Sequence, residues 1–152
     1  MALVMFYHLT RSRPAQTLAA ILPRAVAMGW RVMLRGTDAG RIAALDAALW
    51  QTDGFLPHGI VGGLHDSDQP ILLGEGGLAD GIRALALVDG AKCSLAEAMA
   101  LERVWILFDG NDPVALETAR AQWREITAAK INAQYWSQDS GKWEKKLDKS
   151  AG

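Results

Sequence analysis

The stretch RALALVDGAKCSLAEAMALERVWILFDGNDP, residues 83–113, decides the fold. Arg83 to Val88 is a short apolar run with no alternating polar face, the pattern of a strand buried on both sides. Asp89-Gly90 closes it as a turn. Ser94 stands three residues before Glu97, a capping-box spacing that predicts a short helix over Leu95 to Ala100. Val104 to Phe108 is a second buried strand. Asp112 followed by Pro113 is a helix start, because proline at the first helical position gives up no hydrogen bond. Strand, helix, strand, helix in succession imply parallel strands with helices as crossovers.

The same alternation extends toward the N-terminus. Leu3 to His8 reads as the first strand and Thr10 to Pro14 as a polar turn. Leu18, Ile21, Leu22, Ala25 and Val26 fall at helical spacing between Ala15 and Met28. Pro23 is expected to kink or divide that helix, and Gly29 suits its C-terminal end. Arg31 to Arg35 is the next strand. Thr37 or Asp38 caps a helix over Ala39 to Leu49, whose apolar face holds Ile42, Leu45, Ala48 and Leu49. Residues 51–81 are the least regular, with Ile71 to Leu73 a further strand candidate. Toward the other end, the helix from Pro113 is expected to run to about Ala133. From Ser137 the chain turns polar and lysine-rich, and is expected to fray. The expected fold is α/β and three-layered: a mostly parallel central sheet with helices on both faces, Rossmann-like without a nucleotide-binding loop. Residues 1–136 form one domain and 137–152 a polar tail.

Composition narrows the function. The 152 residues are half hydrophobic, enough for a core that needs neither metal nor disulfide. A formal net charge of -1 argues against tight direct binding of nucleic acid, which needs a basic excess. The single cysteine, Cys93, makes no intrachain disulfide and implies a reducing, cytoplasmic setting. The opening MALVMFYHL lacks a basic start and reads as a strand, not a signal peptide. No run of about 18 apolar residues suggests a membrane span.

Catalytic chemistry is hard to find. The turn after the first strand, His8-Leu9-Thr10-Arg11-Ser12-Arg13-Pro14, has no glycine, so neither dinucleotide nor phosphate fingerprint is present. Gly74-Glu75-Gly76-Gly77 follows a possible strand but lacks the Lys-Ser/Thr pair of a P-loop. His8, His58 and His65 would need to converge, with Asp66 or Asp68, to hold a metal. Cys93 has Lys92 beside it but no spaced base. No catalytic residue, cofactor or metal site is expected.

Aromatic and basic residues suggest binding instead. Among the six tryptophans, Trp30 and Trp105 adjoin strands and read as core or boundary. Trp50 ends the run Leu45-Asp46-Ala47-Ala48-Leu49-Trp50, and Phe55 follows in the exit loop. Together they are either an exposed apolar patch of the kind enriched at interfaces or the roof of the core. On the last helix, Arg120, Trp123 and Arg124 lie at i, i+3 and i+4, so two cations flank an indole. They could grip a carboxylate, or form an ordinary solvated face paired to Glu117 or Glu125.

The segments F-Y-H-L, L-D-A-A-L-W, F-L-P-H and A-R-A-Q-W-R resemble those of the chi subunit of bacterial DNA polymerase III, in the same order along the chain. The resemblance spans almost the whole sequence except residues 66–83. It implies a non-catalytic subunit of the clamp-loader assembly that binds the psi subunit and the acidic C-terminal tail of single-stranded DNA-binding protein, which ends in Pro-Phe and a free carboxylate. Trp50 and Phe55 fall at its psi-facing positions and Arg120 at its tail-gripping arginine. Trp123 replaces a tyrosine, and Arg124 keeps a positive charge. Leu116 and Thr127 stand where further cations would help, which leaves Lys130 as a contributor. Two other readings remain open: a small α/β enzyme acting on a nucleotide or phosphoester through residues 74–77, and a helicase partner that uses the Trp50 patch.

Overall fold

Alternation along the first strand sets up two cores. β1 (Leu3–Leu9) turns Val4 and Phe6 to one face of the sheet and Met5, Tyr7 and Leu9 to the other. The computed structural model describes residues 2–51, 57–62 and 69–149. After β1 come α1 (Pro14–Ala27), β2 (Arg31–Arg35), α2 (Ala39–Trp50), β3 (Gly59–Ile60), β4 (Ile71–Gly74) and β5 (Ile82–Leu87). Then follow α3 (Leu95–Ala100), β6 (Arg103–Asp109), α4 (Pro113–Ala128), β7 (Asn132–Ser137) and β8 (Glu144–Lys149). The strands form one sheet in the order β3-β4-β2-β5-β6-β1-β7-β8. All pairings are parallel except β7 with β8.

Leu18 and Leu22 of α1 and Ile42 and Leu49 of α2 join the core on the Leu9 face. Ala98 of α3 and Ala119 and Ile126 of α4 join the core on the Phe6 face. The fold is thus the three-layer, mostly parallel α/β arrangement expected. The connections through α1 and α2 carry the chain toward the β3 edge, and those through α3 and α4 carry it toward the β8 edge. The caps are those the sequence announces. Asp38 accepts from the Arg41 N–H, Ser94 and Glu97 complete a capping box, and Asp112 accepts from the Val114 N–H.

Three local expectations are corrected. Pro23 does not divide α1; it sits on the exposed side near the helix end, and the helix runs through. α4 stops at Ala128 rather than Ala133. Lys130 adopts a left-handed φ of 59°, its N–H donates to the Thr127 carbonyl at 3.0 Å, and the Ile131 N–H reaches back to Ile126 at 3.3 Å. This pair of bonds closes the helix and releases Asn132–Ser137 as a strand. Residues 137–149 are not a frayed tail: Trp143 packs edge-on against Tyr7 at 5.1 Å, and the lysine-rich segment after it is the edge strand β8.

Candidate functional site

Helical phase divides α4 into a buried stripe and a displayed one. Ala119 and Ile126 are buried, Leu116 and Trp123 are half-buried along one flank, and Arg120 and Arg124 are exposed. The Trp123 ring stands edge-on to Phe6 at 5.3 Å and to Tyr135 at 5.9 Å. Tyr135 stacks over Phe6 and lies 5.9 Å from Phe108. Its hydroxyl shares a 2.9 Å hydrogen bond with His8 Nδ1, and His8 Nε2 is 4.0 Å from Asp139. The His8 ring also explains Gly110, where any Cβ would overlap it. Burial raises the Tyr135 pKa, the Arg120 guanidinium opposes that rise, and Asp139 adds to it. Arg120 is thus electrostatically coupled to the tyrosine of an aromatic floor.

The cations of this face are held differently. Arg120 makes no ion pair among the described residues. Arg124 lies 3.4 Å from Glu117, both well exposed, an arrangement of little net strength. Lys130 lies ten residues beyond Arg120, roughly 15 Å along the helix direction, and is exposed at the helix end. The structure therefore brings Arg120, Trp123 and Arg124 onto one face and sets Lys130 at its far end. Tyr135 is not singled out by the sequence, because a helix running to about Ala133 leaves too few residues before the polar end at Ser137 to read as a strand. The signal was present in the alternation Ala133, Tyr135 against Gln134, Trp136.

Trp50, the last residue of α2, is 51% exposed. Its ring lies 4.1 Å from that of His58, tilted by 32°. His58 is buried, and its Nε2 is 3.2 Å from both the backbone carbonyl and the carboxylate of Asp46. Asp46 thus fixes the imidazole on which the indole rests. Ile60 and Val61, at the β3 edge, are also exposed. The Trp50 indole therefore lies on the buried His58 imidazole with about half of its surface in solvent. Phe55 lies outside the described residues, as do His65, Asp66 and Asp68. The sequence suggests His58 only as a metal ligand, although the F-L-P-H segment marks its place.

A cleft of about 690 Å³ lies at the C-terminal ends of the parallel strands, lined in part by Arg11, Arg13, Thr37, Arg41, Asp109 and Asn111. Doubly wound sheets take nucleotides at such a crevice, with backbone N–H groups on the phosphates. Here the N–H groups of Thr10, Arg11 and Ser12 all donate to Oε1 of the buried Gln138, at 3.1–3.2 Å. Gln138 Nε2 in turn donates to Ser12 Oγ at 2.6 Å. The loop's amides are thus satisfied from within the chain, and Arg41 is held by Asp89 at 2.6 Å. The glycine loop after β4 presents the Gly76 carbonyl to Arg35. Burial and the nearby Glu97 push the Cys93 thiol up to about 11, which removes it as a nucleophile at neutral pH. Among the described residues, no group of three His, Cys, Asp or Glu side chains is placed to bind a metal. None of their helices is long and apolar enough to cross a membrane.

Over residues 1–134 the chain matches the family described as DNA polymerase III chi subunit, HolC. No curated protein matches it. The family match stops inside β7, so β8 lies beyond it.

Proposed function

The chain belongs to the DNA polymerase III chi subunit family, and from that premise we propose that it is a non-catalytic, cytoplasmic accessory subunit of the clamp-loader assembly. In this reading it binds psi through the Trp50 surface and the acidic C-terminal tail of single-stranded DNA-binding protein through α4. The observation that carries the reading is Arg120, exposed and without an ion pair among the described residues, beside an aromatic floor of Trp123 and Tyr135. A planar guanidinium can hold a terminal carboxylate through two hydrogen bonds, and the half-buried indole gives a terminal phenylalanine a wall. Arg124 adds positive potential and acts more on encounter than on holding. Lys130 extends that potential toward the acidic residues of the tail. At the other surface, Trp50 on its His58 platform supplies an aromatic anchor, with Phe55 as its sequence partner. A helicase that docks on the same patch would compete with psi.

The test is a fluorescence titration with an acidic peptide ending in Pro-Phe, as the free acid and as the C-terminal amide. The free acid should bind at least about tenfold more tightly, since charge-assisted bonds contribute roughly 1.5–3 kcal/mol each. Arg120→Ala should remove most of that difference. Equal affinity for the two peptides would rule out a carboxylate grip.

A further inference from the structure

We propose that β8 is the second wall of the tail site, so that an acidic peptide lies in a groove between α4 and β8. This inference rests on the reading of α4 as the tail site. Its support is the register of the C-terminal hairpin. Tyr135 pairs with Leu147 and Ala133 with Lys149, and paired residues point to the same side of a sheet. Tyr135 and Ala133 face α4, so Leu147 and Lys149 do too. Gln134 and Trp136 pair with Asp148 and Lys145 on the opposite side, the register shifting by one residue between Tyr135 and Trp136.

Charge and exposure single out the same two residues. Lys145 is held by Asp148 at 2.8 Å and Lys146 by Glu144 at 3.2 Å. Lys149 has no ion pair among the described residues. Leu147 is 51% exposed although it pairs with Tyr135, whose ring also meets Trp123. α4 rests on β6 and β7, which leaves the α4-facing side of β8 open. The aromatic floor beside Arg120 thus continues outward into an apolar side chain and an uncommitted cation.

The occupant follows from that chemistry. A basic rim at Arg120 and Lys149 with an apolar strip between them suits an extended acidic peptide that carries an apolar residue. The placement also answers a deficit in α4 itself, where Leu116 and Thr127 are uncharged. Ala133, the partner of Lys149, shares a buried cluster with Ile126 and Ile131 at the end of α4. Lys149 therefore brings positive charge to the end of the helix where Thr127 offers none. β8 lies beyond residue 134, where the family match stops, so the wall is argued from this chain's own residues.

The experiment titrates a labelled synthetic acidic peptide, ending in Pro-Phe with a free carboxylate, into the full chain. Variants are Lys149→Glu, Leu147→Ser, Arg120→Ala and, on the opposite side of β8, Lys145→Glu, each checked for an unchanged melting curve. At about 0.15 M salt the screening length is about 8 Å, so only charges near the peptide act. Lys149→Glu should weaken binding about fivefold or more and flatten its salt dependence, and Leu147→Ser about threefold at any salt. Lys145→Glu should stay within about twofold. If Lys149→Glu and Leu147→Ser stay within about twofold while Arg120→Ala costs about tenfold, the groove is refuted and the α4 site stands. If Arg120→Ala is also within about twofold, or the wild-type chain ignores the peptide, the α4 reading fails and the groove with it.

Discussion

Trp50 ends α2 with half its surface in solvent, its ring laid on an imidazole that Asp46 holds in place. An exposed aromatic fixed by its neighbours loses little freedom on binding, which is what a hot spot needs. Trp50→Ala should weaken psi binding by on the order of 2 kcal/mol, about thirtyfold. The melting temperature should move by only a few degrees, because little buried area is lost; calorimetry on the same samples reads both. A collapse of the melting transition would mean that the indole roofs the core after all. Lys130 poses a different trade. It holds a left-handed φ of 59° at the end of α4, a conformation that costs an ordinary residue about 1 kcal/mol and glycine almost nothing. Lys130→Gly should therefore raise stability by up to about 1 kcal/mol and, if its charge serves the tail site, weaken peptide binding. A chemical-denaturation curve and a peptide titration on one preparation separate the two effects.

Among the elements, α3 is short and is tied to the sheet by an ion pair. Arg35, at the end of β2, is buried and gives both terminal nitrogens to the Glu97 carboxylate at 2.7 and 3.0 Å. The same guanidinium donates to the Gly76 and Lys92 carbonyls. One side chain thus ties together the β4–β5 loop, the β5–α3 loop and α3. The Arg35 hydrogen bonds hold the Glu97 carboxyl at about 2, against an ordinary 4.5. A carboxylate with a depressed folded pKa stabilises the fold in full above its unfolded value, and that contribution is lost as pH falls. The loss should run from about pH 4.5 down to about 2. Glu97→Gln should cost about 1.5–3 kcal/mol at neutral pH. It should also flatten the acid limb of stability against pH, followed by urea midpoints between pH 7 and 3. An unchanged acid limb would show that other carboxylates govern it.

At the scale of the whole molecule, the two proposed partner surfaces lie far apart. α2 packs near the β3 edge and joins the Leu9-face core, while α4 rests on β6 and β7 and joins the opposite core. Five strand intervals separate β4 from β7, roughly 24 Å at about 4.8 Å each. Sites that distant and without shared residues act independently. Psi and the peptide should therefore bind together, each with an affinity within about twofold of its value alone. The Trp50→Ala and Arg120→Ala effects should add in the double variant. Isothermal titration of peptide into a preformed complex with psi tests this, and strong coupling would sink the picture of a passive bridge.

Much of this protein was legible in residue order because it rests on local rules. Asp38, Ser94 and Asp112 announce their helices through caps, and unbroken apolar runs announce β2, β5 and β6 as buried parallel strands. The triplet Arg120, Trp123, Arg124 follows from helical spacing alone. Where the sequence reading failed, a non-local partner decided the outcome. The start of β7 reads as the last turn of a helix until Lys130 turns left-handed and β1 offers a parallel edge. β8 reads as a polar tail until β7 supplies its hydrogen bonds and Tyr7 receives Trp143. His58 becomes a platform only when Asp46 and Trp50 meet it from α2. Gln138 occupies the amides of the first loop from more than a hundred residues away. Caps and periodicity are set by neighbours in sequence, but strand pairing and the occupancy of a loop are set by neighbours in space, and only the folded chain brings those together.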